Sequence, residues 1–192
     1  MSTFPLQFAE KLAAKIAAEL TPFCDQVEIA GSIRRRRPFV SDIDFVVLPK
    51  PGQLDALRER CKRNAKVIIN GNQNLIVELT LAGGHDPQNI NRTLPHQKIQ
   101  VDIFIAQPET REMFDATPTN FGSLLLCRTG SVAHNIYLIE HAKALGLVWN
   151  PYHGVFGRIG LGKPKCLASA TEAEIFSALK LDFIPPERRE RC

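Results

Sequence analysis

The sequence predicts an α+β fold in which two successive lobes are built from short strands and amphipathic helices. Apolar residues recur four positions apart in some stretches and form continuous β-branched runs in others, so helical and strand patterns occur in one chain. Beyond residue 108 the pattern shifts toward short helices and turns. The length of 192 residues suits one domain or two small lobes with a shared core. We therefore expect a first lobe over residues 1–108 and a second over 109–192.

The first lobe is expected to alternate helices with buried strands. Apolar side chains four residues apart predict a helix from Pro5 to Leu20, and a short strand over 27–30 should follow. The apolar run from Ile43 to Leu48 and the segment from Ile99 to Ala106 predict two buried strands. Residues 54–66 predict a second helix between them.

Turn-forming residues divide the remainder of the first lobe. Strands over 67–69 and 75–81 flank an asparagine-rich turn, which predicts a hairpin. The polar segment 83–97 contains glycine, asparagine and proline residues, which indicates an exposed loop.

The second lobe carries clear helix boundary signals. Residues 131–145 predict a helix, and Gly146 is placed to end it. Thr171 and Glu174 form the pattern of a capping box, which predicts the start of a last helix. We expect Pro185 and Pro186 to end that helix.

The composition excludes several classes of protein. Apolar residues make up 44% and charged residues 23% of the chain, as in folded globular proteins. The five cysteines contain no C-x-x-C pair, so neither a disulfide framework nor a zinc site is indicated. No apolar run approaches the roughly 20 residues of a membrane span, and no signal peptide pattern is present. We expect a cytoplasmic monomer without a membrane partner.

Three acidic residues stand in or beside the two apolar strands of the first lobe. Asp42 and Asp44 are separated by one residue, and the period of a strand points both carboxylates to one face. Asp102 lies in the middle of the other strand, where an unpaired charge is costly. Carboxylate oxygens suit Mg²⁺ or Mn²⁺, and two ions about 4 Å apart could activate a hydroxyl and stabilise a leaving pyrophosphate.

A candidate phosphate-binding turn precedes these acids. Gly31 and Ser32 directly follow the predicted strand 27–30, where a small residue lets backbone amides approach a phosphate. Arg35 can form paired hydrogen bonds with phosphate oxygens. Taken singly, the turn, the acids and the arginine block, four consecutive arginines over residues 34–37, each have an ordinary structural explanation. Their conjunction at short, fixed spacing favours a nucleotidyltransferase site.

The motif set resembles that of the family X DNA polymerases, within the DNA polymerase β superfamily. The resemblance spans roughly residues 4–190 and includes a Thr-Gly motif at Thr129 and Gly130, followed by Asn135. It implies a palm of mixed β-sheet and flanking helices over 1–108 and a small α/β thumb over 109–192. It also implies that Gly31, Ser32 and Arg35 bind the triphosphate, while Thr129, Gly130 and Asn135 contact the incoming nucleotide.

By the same resemblance, the expected reaction is metal-dependent transfer of a nucleotide from a dNTP to a DNA primer 3′-hydroxyl. Short templated gap filling or repair synthesis would be its setting, with Asp42, Asp44 and Asp102 as catalytic metal ligands. We expect this chain to lack the lyase and fingers domains that the larger members of the family carry. Cys127 and Arg128 stand where vertebrate members carry an aromatic pair, which predicts weaker discrimination of the sugar. Gln100 stands where a basic residue near the primer is common.

Two other functions remain open from the sequence. One is a template-independent terminal transferase, or a transferase that uses ribonucleotides, acting on a nucleic-acid end or another acceptor. The other is an inactive nucleic-acid-binding module. If the chain is instead a polymerase without fingers, contact with template phosphates should come from the arginine block and from Lys143, Lys163 and Lys165.

Overall fold

A computed structural model describes residues 3–83, 85–86, 89–93, 96–112, 115–157 and 164–190. The helices, in chain order, are α1 Leu6–Leu20, α2 Gly31–Arg34, α3 Leu54–Lys62, α4 Phe121–Thr129, α5 Val132–Ala144 and α6 Glu172–Ala178. Two short 3₁₀ turns cover Thr21–Phe23 and Pro186–Arg188.

The strands are short and fall into five sheets among the described residues. In chain order they are β1 Phe4–Pro5, β2 Cys24–Ile29, β3 Phe39–Val40, β4 Asp42–Pro49, β5 Lys66–Asn70, β6 Asn74–Leu81, β7 His85–Asp86, β8 Asn89–Thr93, β9 Gln97–Ile105, β10 Thr110–Glu112, β11 Asp115–Thr117, β12 Val148–Asn150, β13 Gly154–Gly157 and β14 Lys165–Ala168. The fold is therefore α+β, as the sequence predicts.

A five-stranded mixed sheet with the order β2-β4-β9-β6-β5 forms the centre of the first lobe. Strands β4 and β9 lie side by side and parallel, whereas the other neighbours are antiparallel. Both central strands are rich in buried apolar residues, as expected where each face of a strand is covered. The hairpin predicted around residues 70–74 is confirmed, because β5 and β6 pair antiparallel there.

Helices α1 and α3 cover one face of this sheet. In α1 the buried positions Ala9, Ala13 and Leu20 pack with the buried strand residues Ile43 and Val101 in one apolar cluster. Burial of this stripe is the main source of stability for a surface helix.

Helix α3 is shorter than the prediction, which extended it to residue 66. It ends at Lys62, and Asn64 adopts a positive φ of 61° that is incompatible with helix continuation. Lys66 instead begins β5, so the β-branched residues that follow it are drawn into the sheet.

The prediction of a plain loop over 83–97 is wrong. Strands β7 and β8 pair as a short antiparallel ribbon there, and β10 and β11 form a second ribbon beyond residue 108. Neither ribbon has the alternation of apolar and polar residues on which strand prediction depends.

The second lobe packs helices against a small antiparallel sheet of β12, β13 and β14. Leu126 of α4, Leu138 of α5 and Phe176 of α6 meet in one buried cluster with Trp149 of β12. The capping box of α6 is confirmed by paired hydrogen bonds between Thr171 and Glu174. However, α6 ends at Ala178, well before the prolines that were expected to end it.

A further apolar cluster connects the two lobes. Phe121, Leu124 and Leu125 of α4 pack against Val46 of β4 and Phe104 of β9, on the sheet face opposite α1. The boundary at residue 108 stays a prediction. Among the described residues, no helix combines the length and apolar character needed to cross a bilayer.

Candidate functional site

The three predicted acids lie on one face of the central sheet. In the parallel pair of β4 and β9, Asp44 is in register with Asp102, and Asp42 is in register with Gln100. Residues directly opposite in neighbouring strands point to the same face, and so do residues two apart in one strand. The register that brings Asp102 beside Asp44 therefore gathers three carboxylates from distant parts of the chain.

These carboxylates destabilise one another when they are ionised. The pKa of Asp44 is raised from 3.8 to about 7, first by burial and then by the negative charges of Asp42 and Asp102, while the positive charges of Arg128 and Arg35 oppose the rise. Burial also raises the pKa of Asp102, while a hydrogen bond from Gln100 Nε2 to its Oδ1 at 2.8 Å lowers it. Carboxylates whose pKa values are raised by burial and by mutual repulsion favour a bound cation, because its positive charge stabilises their ionised form.

The chemistry of this group fits a hard divalent cation, which takes oxygen ligands from carboxylates. The arrangement is not ready-made, however, because no three His, Cys, Asp or Glu side chains among the described residues stand positioned to hold a metal ion. Hydrogen bonds already occupy two of the oxygens, with Ser41 Oγ donating to Asp42 Oδ1 at 3.2 Å and Gln100 donating to Asp102. A bound cation would therefore compete with these two hydrogen bonds for the carboxylate oxygens.

The turn that begins at Gly31, the first residue of α2, lies directly against Asp44. Gly31 has a φ of +58°, and a Cβ atom at this position would overlap the Asp44 carboxylate. The backbone N–H of Ala30 donates to the Asp44 carbonyl at 2.8 Å, which holds the turn against β4. Only glycine meets both the conformational and the steric requirement. The hydroxyl of Ser32 is buried and has no hydrogen-bond partner among the described residues, so it remains available to a ligand.

The arginine block contributes to the structure as well as to surface charge. Arg34 donates to both carboxylate oxygens of Glu172, at 2.7 and 2.8 Å, and to Thr129 Oγ1 at 2.7 Å. Arg35 donates from Nε to Glu190 Oε1 at 2.6 Å and from Nη1 to the Thr129 carbonyl oxygen. The first lobe is thereby connected to the second at the end of α2.

A cleft of about 440 Å³ lies between α2, the start of β4 and the segment that joins α4 to α5. It brings together most of the predicted site residues: Gly31, Ser32, Arg35, Asp42, Asp44, Gly130 and Asn135. Asp102 and Thr129 are predicted site residues that do not line it. Cleft residues that the prediction did not assign to the site include Arg37, Phe39 and Val132.

The predicted site residues of the second lobe differ in what they offer to a ligand. Thr129 is fully buried, and its hydroxyl and carbonyl accept hydrogen bonds from Arg34 and Arg35. Asn135 Nδ2 donates to the Cys127 carbonyl at 2.8 Å, whereas its Oδ1 is buried without a partner in the described part of the chain. Gly130 has a φ of +70° and is followed by a cis peptide bond to Ser131. Thr129 therefore supports the site, while Asn135 can bind a ligand.

Arg128 contributes to the site in a way that the sequence reading missed. Its guanidinium lies 3.8 Å from the centroid of the Phe104 ring and donates to the Tyr152 hydroxyl. Its positive charge lowers the pKa values of both Asp44 and Asp102. The basic residue directly before the Thr-Gly motif was a visible signal, but nothing local indicated that it would lie beside the acids.

A buried ionic network behind the cleft was also missed. Glu172 accepts hydrogen bonds from Arg34 and from Arg189, the latter at 2.6 Å with Arg189 fully buried. Burial opposes ionisation of Glu172, but the two arginines outweigh it and lower its pKa. These partners lie far apart in sequence, so no local pattern could predict the network. Lys143 and Lys165, expected to contact phosphates, are exposed, and Lys163 lies outside the described residues.

Comparisons with known proteins agree with this geometry. A family model described as DNA polymerase beta thumb matches residues 124–190. The chain is similar to the DNA polymerase/3'-5' exonuclease PolX of Bacillus subtilis (strain 168), at 28% identity over 190 residues. That match covers 97% of this chain but 28% of the relative, so the chain spans little more than a quarter of the relative's length.

Two solved structures of Leishmania infantum polymerase beta share the fold. The ternary gap complex matches with a TM-score of 0.72 and 20% identity, over 98% of this chain and 71% of the other. The ternary P/T complex matches with a TM-score of 0.71 and 21% identity, over 98% of this chain and 77% of the other. The fold is thus of the polymerase β type. Together, the family model, the curated relative and the fold show that the chain is similar to the family X DNA polymerases.

Proposed function

We propose that this chain transfers a nucleoside monophosphate from a dNTP to the 3′-hydroxyl of a DNA primer, in short templated gap filling. The observation that carries the proposal is the register of Asp44 with Asp102 on parallel strands, beside a cleft formed by the Gly31 turn. Acids so arranged, next to unpartnered polar atoms, suit phosphoryl transfer, in which positioning and charge stabilisation supply the catalysis.

The chain's own residues divide into three tasks in this proposal. Ser32 and Arg35 hold the triphosphate, with Gly31 allowing close approach of the backbone. Asn135 contacts the nucleotide through Oδ1, which has no hydrogen-bond partner in the described part of the chain. Asp42, Asp44 and Asp102 would hold Mg²⁺ or Mn²⁺, two ions in all, and Asp102 would help to ready the attacking hydroxyl. When bound, such ions lower the pKa of that hydroxyl and stabilise the charge on the leaving pyrophosphate.

The substrate and partners follow from the same proposal. DNA with a primer terminus, gapped or open, is the acceptor, and repair synthesis is the setting. Exposed lysines such as Lys143 and Lys165 would contact phosphates, so binding should weaken as salt is raised. We further propose that the chain acts as a monomer in the cytoplasm.

Primer extension on gapped and open templates, with each dNTP and rNTP separately, tests this function. We expect Mg²⁺-dependent addition of the complementary dNTP and greater product on the gapped substrate. The variant Asp44→Asn should give no product, while Asp182→Asn, which changes an exposed acid away from the cleft, should behave like the unmodified protein.

Three outcomes would contradict the proposal in different ways. Addition that ignores the template base would favour a template-independent transferase. Equal use of rNTPs would show that the Cys127 side of the cleft does not select the sugar. DNA binding without any product under all conditions would indicate an inactive nucleic-acid-binding module.

A further inference from the structure

Glu190, which lies just after the last 3₁₀ turn, contacts two arginines of the cleft. Its Oε1 lies 2.6 Å from Arg35 Nε and 3.8 Å from Arg37 Nε. Both arginines line the cleft, but Glu190 does not. We propose that Glu190 is a positioning residue, which holds Arg35 in the orientation that binds a triphosphate. This inference rests on the proposed function, because it assumes that Arg35 binds phosphate.

Two contacts fix the guanidinium plane of Arg35. The carboxylate of Glu190 accepts from Nε, and the Thr129 carbonyl accepts from Nη1. A guanidinium has five N–H donors in a rigid fork, so donors remain on the Nη atoms after these two bonds. Arg35 is only 17% exposed, which limits its alternative positions. The remaining donors are therefore presented from a fixed side chain.

The location of Glu190 shows whether its carboxylate orients Arg35 or competes with a phosphate for it. A carboxylate inside the cleft would occupy the space of a phosphate and repel it. Glu190 is instead absent from the cleft lining and contacts the guanidinium from outside the cleft. Without it, the Thr129 carbonyl would be the remaining described partner of the Arg35 side chain. The side chain would then have to be ordered when the ligand binds, which weakens affinity.

The same segment also holds the opposite wall of the cleft. The carbonyl oxygen of Arg189 accepts hydrogen bonds from the backbone N–H of Ser131 at 3.3 Å and from its hydroxyl at 2.7 Å. Residues 189–190 therefore contact both the phosphate-binding side and the Gly130–Ser131 side. Glu190 can fix Arg35 relative to the rest of the nucleotide site.

Two substitutions separate hydrogen-bond geometry from charge. Glu190→Gln keeps an oxygen at the Oε1 position but removes the charge, whereas Glu190→Asp keeps the charge but withdraws the oxygen from Arg35. Binding of inorganic triphosphate and of a dNTP is measured by calorimetry, and KM and kcat by primer extension. We expect Glu190→Asp to weaken triphosphate binding about tenfold and raise KM with kcat little changed, since a lost constraint affects binding first.

Glu190→Gln should bind triphosphate within about twofold of the unmodified protein, because the acceptor geometry is retained. Glu187 provides a matched control, since its pair with Arg36 is long, at 3.8 Å, and both side chains are exposed. Glu187→Asp and Glu187→Gln should leave affinity and KM unchanged. Melting temperatures of all four variants report whether any loss comes from the fold instead.

Unchanged or tighter triphosphate binding by Glu190→Asp would overturn the inference, and so would equal weakening by both Glu190 variants. Failure of the proposed function would look different. In that case the unmodified protein would not bind triphosphate, and Arg35→Ala would change nothing. Binding that depends on Arg35 but not on Glu190 would reject only the positioning role.

Discussion

Replacing Asp44 by asparagine should stabilise the metal-free protein while it abolishes nucleotide transfer. The pKa of Asp44 is raised from 3.8 to about 7, first by burial and then by the charges of Asp42 and Asp102. An acid with a raised pKa binds its proton more tightly in the folded state than in the unfolded state. Folding stability from this group is therefore greatest at low pH and is lost as pH rises from about 4 to about 7.

The magnitude follows from the size of that displacement. A change from 3.8 to about 7 corresponds to about 4 kcal/mol between the two protonation states, at about 1.4 kcal/mol for each pH unit. Solvent contact at this partly buried side chain reduces the effect, so we expect a gain of about 1–3 kcal/mol for Asp44→Asn at alkaline pH. In a protein of this size, each kcal/mol raises the Tm by about 2–4 °C.

Thermal unfolding in EDTA at about pH 5 and about pH 8 measures this effect, because Asp44 is protonated at the first pH and ionised at the second. The difference in Tm between variant and unmodified protein should be small at the lower pH and large at the higher one. Asp182→Asn should show no such dependence. A variant that is no more stable at the higher pH, or equally stabilised at both, would show that ionised Asp44 does not destabilise the folded protein.

Three further substitutions test other parts of the site. Gly31→Ala should lower kcat/KM about 100-fold or more while circular dichroism stays native, because the added methyl group displaces the Asp44 carboxylate; near-normal primer extension would contradict this. Glu172→Gln should reduce the free energy of unfolding in urea by about 3 kcal/mol, because buried Arg189 loses its counter-charge. The control is Glu140→Gln, at an exposed position of α5. An equal urea midpoint for both variants would be evidence against a stabilising role of the Arg34–Glu172–Arg189 network. Asn135→Ala should raise the KM for dNTP several-fold with a Tm shift of at most a few degrees, and an unchanged KM would exclude contact with the nucleotide.

The sequence predicts the elements whose signals are local. Two acids spaced by one residue at the start of an apolar run locate Asp42 and Asp44 on one face of a strand, and the structure agrees. The capping box at Thr171 fixes the start of α6 for the same reason, since all its contacts lie within four residues. The end of α6 was predicted less well. A proline sets the last position to which a helix can extend, but it does not prevent the helix from ending earlier.

The features that could not be predicted from the sequence depend on contacts between residues far apart in the chain. The pair formed by Arg34 and Glu172 joins residues 138 positions apart, and no periodicity reports such a contact. The same holds for Arg128, whose position against Phe104 depends on how α4 crosses the sheet. Sequence reasoning therefore located the acids and the glycine turn but not the arginine contacts that surround them.

Asp102 is in register with Asp44 yet does not line the cleft, so its proposed role in nucleotide transfer needs a test of its own. Single-turnover incorporation of one dNTP into a gapped primer, followed across a Mg²⁺ titration for the unmodified protein and Asp102→Asn, tests it most directly. We expect the variant to be slower by about 1,000-fold at saturating Mg²⁺, as for loss of a group that stabilises the transition state. Incorporation at an unchanged rate would contradict the claim that three carboxylates on this sheet face carry out nucleotide transfer.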